Sequence, residues 1–350
     1  MNRRTSSNFD LLVDGASVKS GNSRRKAPSE DTIKVICRFR PLRKNPKKDG
    51  EGVDSFRLHT ETGSVEHTPD GFDGKMYNFD QVFGSDSKQS DIFSVVSGVL
   101  DSVMSGFNGT IMAYGQTSAG KSWTMDGPSI WEDESQGIIP RCVDSLFDAI
   151  SQADASIQFQ VSISYFEVYC EKIRDLLNPQ QCNLKTRQVH KRFVVKDLTE
   201  VYGTDKDSVL RVIEMGKTNR ASAPTLMNAE SSRSHSIVSI LVTQKDKSSG
   251  RNRKGSLYLV DLAGSEKVGK TGATGVRFKE AKNINGSLTT LGMVINALCE
   301  GQNHIPYRDS KLTLILMDAL GGNSKTTLII CCNPELSHTQ ETLSTLRYIS

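Results

Sequence analysis

The sequence predicts an α/β fold: one large domain with a central, mostly parallel or mixed β-sheet flanked by helices on both faces. Three observations predict it. A short apolar run, "TIMAY", leads directly into a glycine-rich turn closed by Lys121 and Ser122. Strand-period and helix-period segments are mixed along the chain, with no internal repeat and no linker between domains. A continuous apolar run from Leu257 to Val260 ends at Asp261, the pattern of a central strand covered on both faces.

The 350 residues are enough for a large core, as two average domains or one large one. The net charge of +4 is too small to name a partner, so charge arguments rest on local clusters. No apolar run reaches the roughly 18 residues of a membrane span. The seven cysteines, Cys37, Cys142, Cys170, Cys182, Cys299, Cys331 and Cys332, are odd in number and contain no C-x-x-C. That pattern suits a reducing compartment with mostly buried thiols and does not support zinc. Residues 1–30, rich in Ser, Asn, Arg and Lys, are expected to be a disordered basic extension, and 31–350 the folded domain. The Arg/Ser-rich start has some presequence character, against which Asp10 and Asp14 argue.

Taken in order, "TIKVICRFRP" has Ile33, Val35, Cys37 and Phe39 alternating with Lys34, Arg38 and Arg40, interrupted by Ile36. This strand period puts Arg38 and Arg40 on one face, and Pro41 ends it. A charged, turn-rich loop, "RKNPKKDGEG", follows. Ile92, Val95, Val96, Val99, Val103 and Phe107 recur at helical spacing, with Ser90 as N-cap and Gly106 near the end. "QFQVSISYFEVY" and "SHSIVSILVTQKD" are expected to be strands, and "TTLIICC" a buried one. From Glu280 to Leu298 the stripe Ile284, Leu288, Leu291, Ile295 and Leu298 predicts a long amphipathic helix. Gly286 and Gly292 inside it cost about 1 kcal/mol each relative to Ala.

Gly115, Gly120, Lys121 and Ser122 fit G-x-x-x-x-G-K-[ST]. Such a loop curls its N–H groups around phosphates, the lysine reaches the β- and γ-phosphates, and the hydroxyl binds magnesium. Asp261 supplies the acidic group such a site needs at the end of a neighbouring strand, and Gly264 offers a backbone N–H to a γ-phosphate. No guanine-selecting N-K-x-D occurs. In "NAESSRSHS", Arg233 stands among small donors just before a strand, more than a Ser-rich turn requires.

These pieces together resemble a kinesin motor domain, a P-loop NTPase. "YGQTSAGKSWTM" is similar to its phosphate loop, "NAESSRSHS" and "DLAGSEK" to its two switches, and "CRFRP" to its adenine-side strand. "EAKNINGSLTTLGMVINAL", "IPYRDSKLT" and "LGGNSKT" are similar to its filament-binding elements. "CRFRPL", "GQTS", "LYLVDLAGSEKVGKTGA" and "TTLIICC" look most like the conventional heavy chain. The match runs in order from about Ile33 to Ile349. It implies a microtubule-stimulated, magnesium-dependent ATPase that binds ATP and ADP and moves along microtubules, plus-end directed, in the cytoplasm. Arg38, Arg40 and Pro41 would flank the adenine. Trp123 would either stack on the base or anchor the core. Gly115, Gln116, Thr117, Ser118, Ala119, Gly120, Lys121 and Ser122 would hold the phosphates. Ser122 and Ser232 would ligate magnesium, with Asp261 acting through water. Ser231 and Gly264 would face the γ-phosphate, and Arg233 and Glu266 would close as a salt bridge around the attacking water. A shift at the loop entering the long helix would then move that helix as a rigid body.

Microtubules are acidic, and Lys267, Lys270, Lys279, Lys282, Arg308 and Lys311 would form the basic face that meets them. Two residues depart from the family there: Gly286 stands where Lys is usual and Leu314 where Arg is common, with Arg277 and Lys279 as compensation. The sequence stops at Ser350, short of the family's final helix turn and neck linker, so a homodimer and cargo adaptors would involve regions outside these residues. Neither nucleic acid nor membrane insertion is expected. Two other readings remain open: a nucleotide-gated microtubule-binding module with weak or no motility, and a P-loop enzyme unrelated to filaments.

Overall fold

The computed structural model describes residues 33–42, 56–68, 74–190, 192–222, 232–266, 276–321 and 323–348, with backbone only for 276–282. The expected extension 1–30 lies outside these residues. The elements are β1 (Ile33–Phe39), β2 (Phe56–His59), β3 (Ser64–His67), β4 (Lys75–Asn78), β5 (Gln81–Phe83), α1 (Gln89–Met104), β6 (Asn108–Tyr114), α2 (Lys121–Met125) and α3 (Ile138–Ser151). Then follow β7 (Ile157–Tyr169), β8 (Lys172–Asp175), β9 (Cys182–Leu184), β10 (Thr186–Val189), β11 (Arg192–Val195), β12 (Val201–Gly203) and α4 (Lys206–Ala221). The last are β13 (His235–Asp246), β14 (Asn252–Asp261), α5 (Val276–Cys299), α6 (Lys311–Ile315), β15 (Ser324–Cys332) and α7 (Thr339–Leu346).

The main sheet runs β5-β1-β15-β6-β14-β13-β7-β8-β9, with β12 also on β7. The half from β5 to β14 is parallel. From β14 onward every pairing is antiparallel, so the sheet is mixed, as the sequence predicts. The side-chain period of two sorts the central strands between two cores. Ile111 and Ala113 of β6, Leu257 and Leu259 of β14, and Ile329 and Cys331 of β15 join α1, α3 and α4 on one face. Met112, Tyr114, Val260, Leu328, Ile330 and Cys332 meet α5, α6 and α7 on the other. The same rule accounts for Ile36: β1 is covered on both faces, so Ile36 enters one core and Cys37 and Phe39 the other.

Several helix boundaries differ from those expected. α1 starts at Gln89, one residue before Ser90, and the Lys88 backbone N–H donates to the Asp91 carboxylate at 2.8 Å. Asp91, at the third helical position, reaches back to the N–H of the N-cap residue, which sets the start at Gln89. α1 ends at Met104, and Gly106 at φ +89° turns the chain, so Phe107 is exposed instead of extending the apolar stripe. α5 begins at Val276, a full turn before Glu280, and Leu298 is only partly buried. The helices α3 and α4 and the shorter α6 and α7 are not predicted from the sequence. α4 is capped by Asp205, which accepts from the Ser208 N–H at 2.8 Å.

The interior of α5 rests on Leu288, Leu291, Val294 and Ile295. Gly292 is required for contact: a Cβ there would meet the Tyr348 ring at 3.0 Å. Leu291 is fully buried in the core under the sheet. Leu291→Ala should lower unfolding free energy by about 2–5 kcal/mol, read as a lower denaturant midpoint at unchanged slope.

Candidate functional site

The site grows out of the centre of the sheet. β6 is paired in parallel with β15 on one side and β14 on the other, so its C-terminal end opens between two further strand ends. Gly115 leaves β6 at φ +149°, and a Cβ there would lie 2.2 Å from the Cys331 carbonyl oxygen. Only glycine passes between the two strands at that point. Gly120 at φ +100° then turns the chain into α2, a helix of five residues.

Inside this loop Lys121 is buried, and its ammonium donates to the carbonyls of Gly115 at 2.9 Å and Gln116 at 3.0 Å. Burial lowers its pKa from the ordinary value, while Asp261 works in the opposite direction. Ser122 donates to Asp261 Oδ2 at 2.6 Å. Asp261 is the last residue of β14 and pairs across with Ala113, one strand over from the loop. Its other oxygen, Oδ1, is buried and has no hydrogen-bond partner among the described residues. A hydroxyl and a carboxylate at this spacing are the hard oxygen donors that magnesium takes.

The second predicted switch segment meets the loop directly, and the first meets the second. The Ser265 N–H donates to the Gly115 carbonyl at 3.2 Å, and the Gly264 N–H donates to the Ser232 carbonyl at 2.8 Å. The Gly264 donor expected to face a phosphate is thus engaged by Ser232. Glu266 accepts from the Thr117 N–H at 2.8 Å and the Thr117 hydroxyl at 2.6 Å. Among the described contacts Glu266 is paired with Thr117 and not with Arg233, which has other interactions. Ser231 lies outside the described residues. Ser232 and Arg233 are half-buried beside the Asp261 segment.

A cavity of about 500 Å³ lies beside the loop and is lined by Arg38, Arg40, Pro41, Ser87, Gly120 and Trp123, among others. Trp123 is 53% exposed, which excludes a core anchor and leaves its ring on the cavity wall. Gln89 holds it there by donating to the Trp123 carbonyl at 2.7 Å. Arg38 is buried and spends its guanidinium on Gln89 Oε1 at 2.7 Å, Thr124 Oγ1 at 3.0 Å and the Ser87 carbonyl at 3.3 Å. It builds the wall through neutral partners, and burial lowers its pKa. Arg40 pairs with Glu335 at 2.7 Å, and exposed Pro41 forms the rim.

Sequence reasoning missed Arg220, in the last turn of α4. Its guanidinium lies 3.6 Å from Asp261 Oδ2 and 3.7 Å from Glu167 Oε2, and donates to the Ser234 carbonyl at 3.1 Å. Burial opposes its charge, yet Asp261, Tyr165 and Glu167 together push its pKa above the ordinary value. Glu167 also accepts from Ser234 and pairs with Arg174 at 3.1 Å. A lone Arg among helical residues gives no sequence signal for this role.

On the opposite side of the sheet from α1, α5 packs beside α6 and the 3-10 turn Tyr307–Asp309. Arg308 is exposed and lies over the Phe193 ring of β11 at 5.6 Å. Lys311 donates to Thr186 of β10 at 3.2 Å. The β10–β11 hairpin, which the sequence does not predict, therefore adds exposed Arg187 and Arg192 to this face. Lys267 and Lys270 lie outside the described residues, as do the side chains of Lys279 and Lys282. Leu314 is buried, so its place is in the core and no surface charge is lost there. Gly286 is exposed, and a Cβ added to it would meet nothing within 4 Å. No described helix is long and apolar enough to cross a membrane.

A family model described as "Kinesin motor domain" matches residues 38–350. The kinesin heavy chain of Syncephalastrum racemosum is 50% identical over 327 residues, covering 91% of this chain and 34% of its own length. That of Drosophila melanogaster is 46% identical over 331 residues, covering 93% of this chain and 33% of its own length. A solved structure titled "Structure of a fast kinesin: Implications for ATPase mechanism and interactions with microtubules" aligns with a TM-score of 0.85 at 47% identity, covering 92% of this chain and 91% of that one. The chain spans about a third of the length of the curated relatives it matches.

Arg220 is the buried cation that Asp261 and Glu167 share. Arg220→Ala should cost about 3 kcal/mol of stability, because it removes the cation shared by two buried carboxylates and leaves Asp261 only Lys121 and Glu167 only Arg174. Thermal melting of the variant checks it.

Proposed function

The chain belongs to the kinesin motor-domain family, and from that premise we propose that it is an ATP hydrolase whose turnover is stimulated by microtubules and drives movement along them. The observation that carries the proposal is the join at Ser122, Asp261 and the loop: one hydrogen bond at 2.6 Å connects the phosphate loop to the strand that leads into the second switch. In this reading Lys121 exchanges its two carbonyl partners for phosphate oxygens, which as anions make the stronger charge-assisted bonds. The cavity beside Trp123 takes the adenine, with the exposed indole face against the base. Ser122 and Ser232 would hold magnesium, with Asp261 acting through water, and the ion would supply charge neutralisation at the phosphates. The rest is positioning.

The protein's own hydrogen bonds define what must change for hydrolysis. Gly264 must give up the Ser232 carbonyl to donate to a γ-phosphate. Glu266 must leave Thr117 before it pairs with Arg233. Leaving frees the Thr117 N–H for phosphate as well, so the two exchanges favour each other. Ser231 faces the γ-phosphate in the same arrangement. The proposal extends to a cytoplasmic, microtubule-associated location, and to homodimerisation and cargo adaptors in regions beyond these residues.

On the track side, Lys267, Lys270, Lys279, Lys282, Arg308 and Lys311 form the basic contact, widened by the β10–β11 hairpin. The exposed positions of α5 from Asn283 to Asn296 carry no charge. That neutrality favours weak track binding and supports, as a second reading, a nucleotide-gated microtubule-binding module with little motility.

Turnover measured with and without microtubules at low salt tests the proposal: many-fold stimulation is expected, and none would sink it. Lys121→Ala should abolish nucleotide binding, while Glu266→Ala should bind ATP and fail to hydrolyse it. Normal turnover in either variant overturns the assignment. Gly286→Lys should fit without clash, gain about 1 kcal/mol of helix stability and tighten microtubule cosedimentation, with a steeper salt dependence.

A further inference from the structure

His235 opens β13, immediately after the loop that carries Ser232 and Arg233. Its ring is buried and bridges three elements. Nδ1 accepts from the Ala263 N–H at 3.1 Å, in the segment after β14. Because Nδ1 is the acceptor, Nε2 carries the proton and donates to Ser287 Oγ of α5 at 2.7 Å. The Ser287 hydroxyl passes the chain on, donating to the Ile284 carbonyl one turn earlier at 2.7 Å. Ala263 and Ser287 are buried as well, so no water competes for these contacts.

The neighbouring amide completes the grip. Gly264 donates to Ser232, three residues before His235. Two consecutive N–H groups of the segment after Asp261 are thus held by one short loop, and the same loop is bolted to α5 through the imidazole. We propose that His235 is a positioning residue that couples α5 to the Ala263–Gly264 segment, so that a displacement of α5 by its track resets the donors around the γ-phosphate. This rests on the proposed microtubule-stimulated ATPase.

Only a neutral imidazole does this here. It is rigid and presents an acceptor and a donor on opposite edges, far enough apart to reach two backbone elements. Asn reaches the nearer partner alone. Burial, then the charges of Arg220 and Lys121, hold the ring neutral, with its pKa lowered to about 3. The Ala263 N–H keeps Nδ1 the acceptor, so the hydrogen-bond line has one direction.

The test is steady-state turnover of Ser287→Ala, His235→Asn and the double variant against microtubule concentration. Ser287→Ala is expected to keep basal turnover and the half-saturating microtubule concentration. Its maximal stimulated rate should fall about tenfold, the scale of one lost buried hydrogen bond. His235→Asn should show the same loss of stimulation, and the double variant no more than either single one, since both cut one line. Wild-type stimulation in Ser287→Ala, or losses that multiply in the double variant, overturn the inference. So does a parallel fall in basal and stimulated rates, which marks a merely structural role. A wild-type chain that microtubules do not stimulate overturns the parent reading instead.

Discussion

The hydrogen bond between Ser122 and Asp261 is the constraint on which the rest of the arrangement depends. It joins two parallel strands at the point where each leaves the sheet, β6 into the phosphate loop and β14 into the segment ending at Glu266. Parallel pairing brings both exits to the same edge, with Asp261 opposite Ala113. An antiparallel neighbour would have sent the second exit to the other end. The third parallel strand, β15, closes the slot so tightly that residue 115 has no room for a side chain. The site is thus a property of strand order before it is a property of any side chain.

Buried charge around that bond makes it costly to move one part alone. Asp261 faces Lys121 and Arg220, Arg220 faces Glu167, and Glu167 is shared by Arg174 and Ser234. In a dry interior each of these groups needs its partner, because an uncompensated charge costs several kcal/mol. The network spans β7, β8, α4, the Ser234 loop and β14. A loop that moves here must exchange partners, not simply let go, which is why Gly264 and Glu266 are already bonded within the protein.

What the sequence made legible follows from how local each signal is. Gly115 to Ser122 announce themselves because backbone turn, lysine and hydroxyl are contiguous, and the strand before them is a plain apolar run. Asp261 is legible because Leu257 to Val260 mark its strand. α4 was not legible: its Gly216 breaks a helical pattern, and only the structure shows that a Cβ there would lie 2.1 Å from the Tyr165 ring. The β10–β11 hairpin was hidden by strands of four residues with exposed charged and polar positions. Arg220 was hidden because its partners, Glu167 and Asp261, are distant in sequence. Trp123 shows the limit from the other side: its residue type allowed core or cavity wall, and only its 53% exposure decides between them.

The second core shows how a change at the site can reach further than the loops that make it. Tyr114, the last residue of β6 and the neighbour of Gly115, stacks on Tyr348 with ring centroids 3.8 Å apart and planes within 9°. Tyr348, just past α7, donates to the Leu288 carbonyl of α5 at 2.5 Å and lies against Gly292. The foot of the phosphate loop, the long helix and the chain leaving α7 therefore share one packed joint. A helix glycine that is unfavourable by propensity is retained because the ring occupies the space of its side chain. Close-packed interiors transmit displacement and do not absorb it. α5 consequently touches the site through two different chemistries, an aromatic stack at Tyr114 and a hydrogen-bonded imidazole at His235. A rotation of α5 that preserves one contact need not preserve the other. The two contacts therefore constrain α5 separately, one toward the phosphate loop and one toward the Ala263–Gly264 segment.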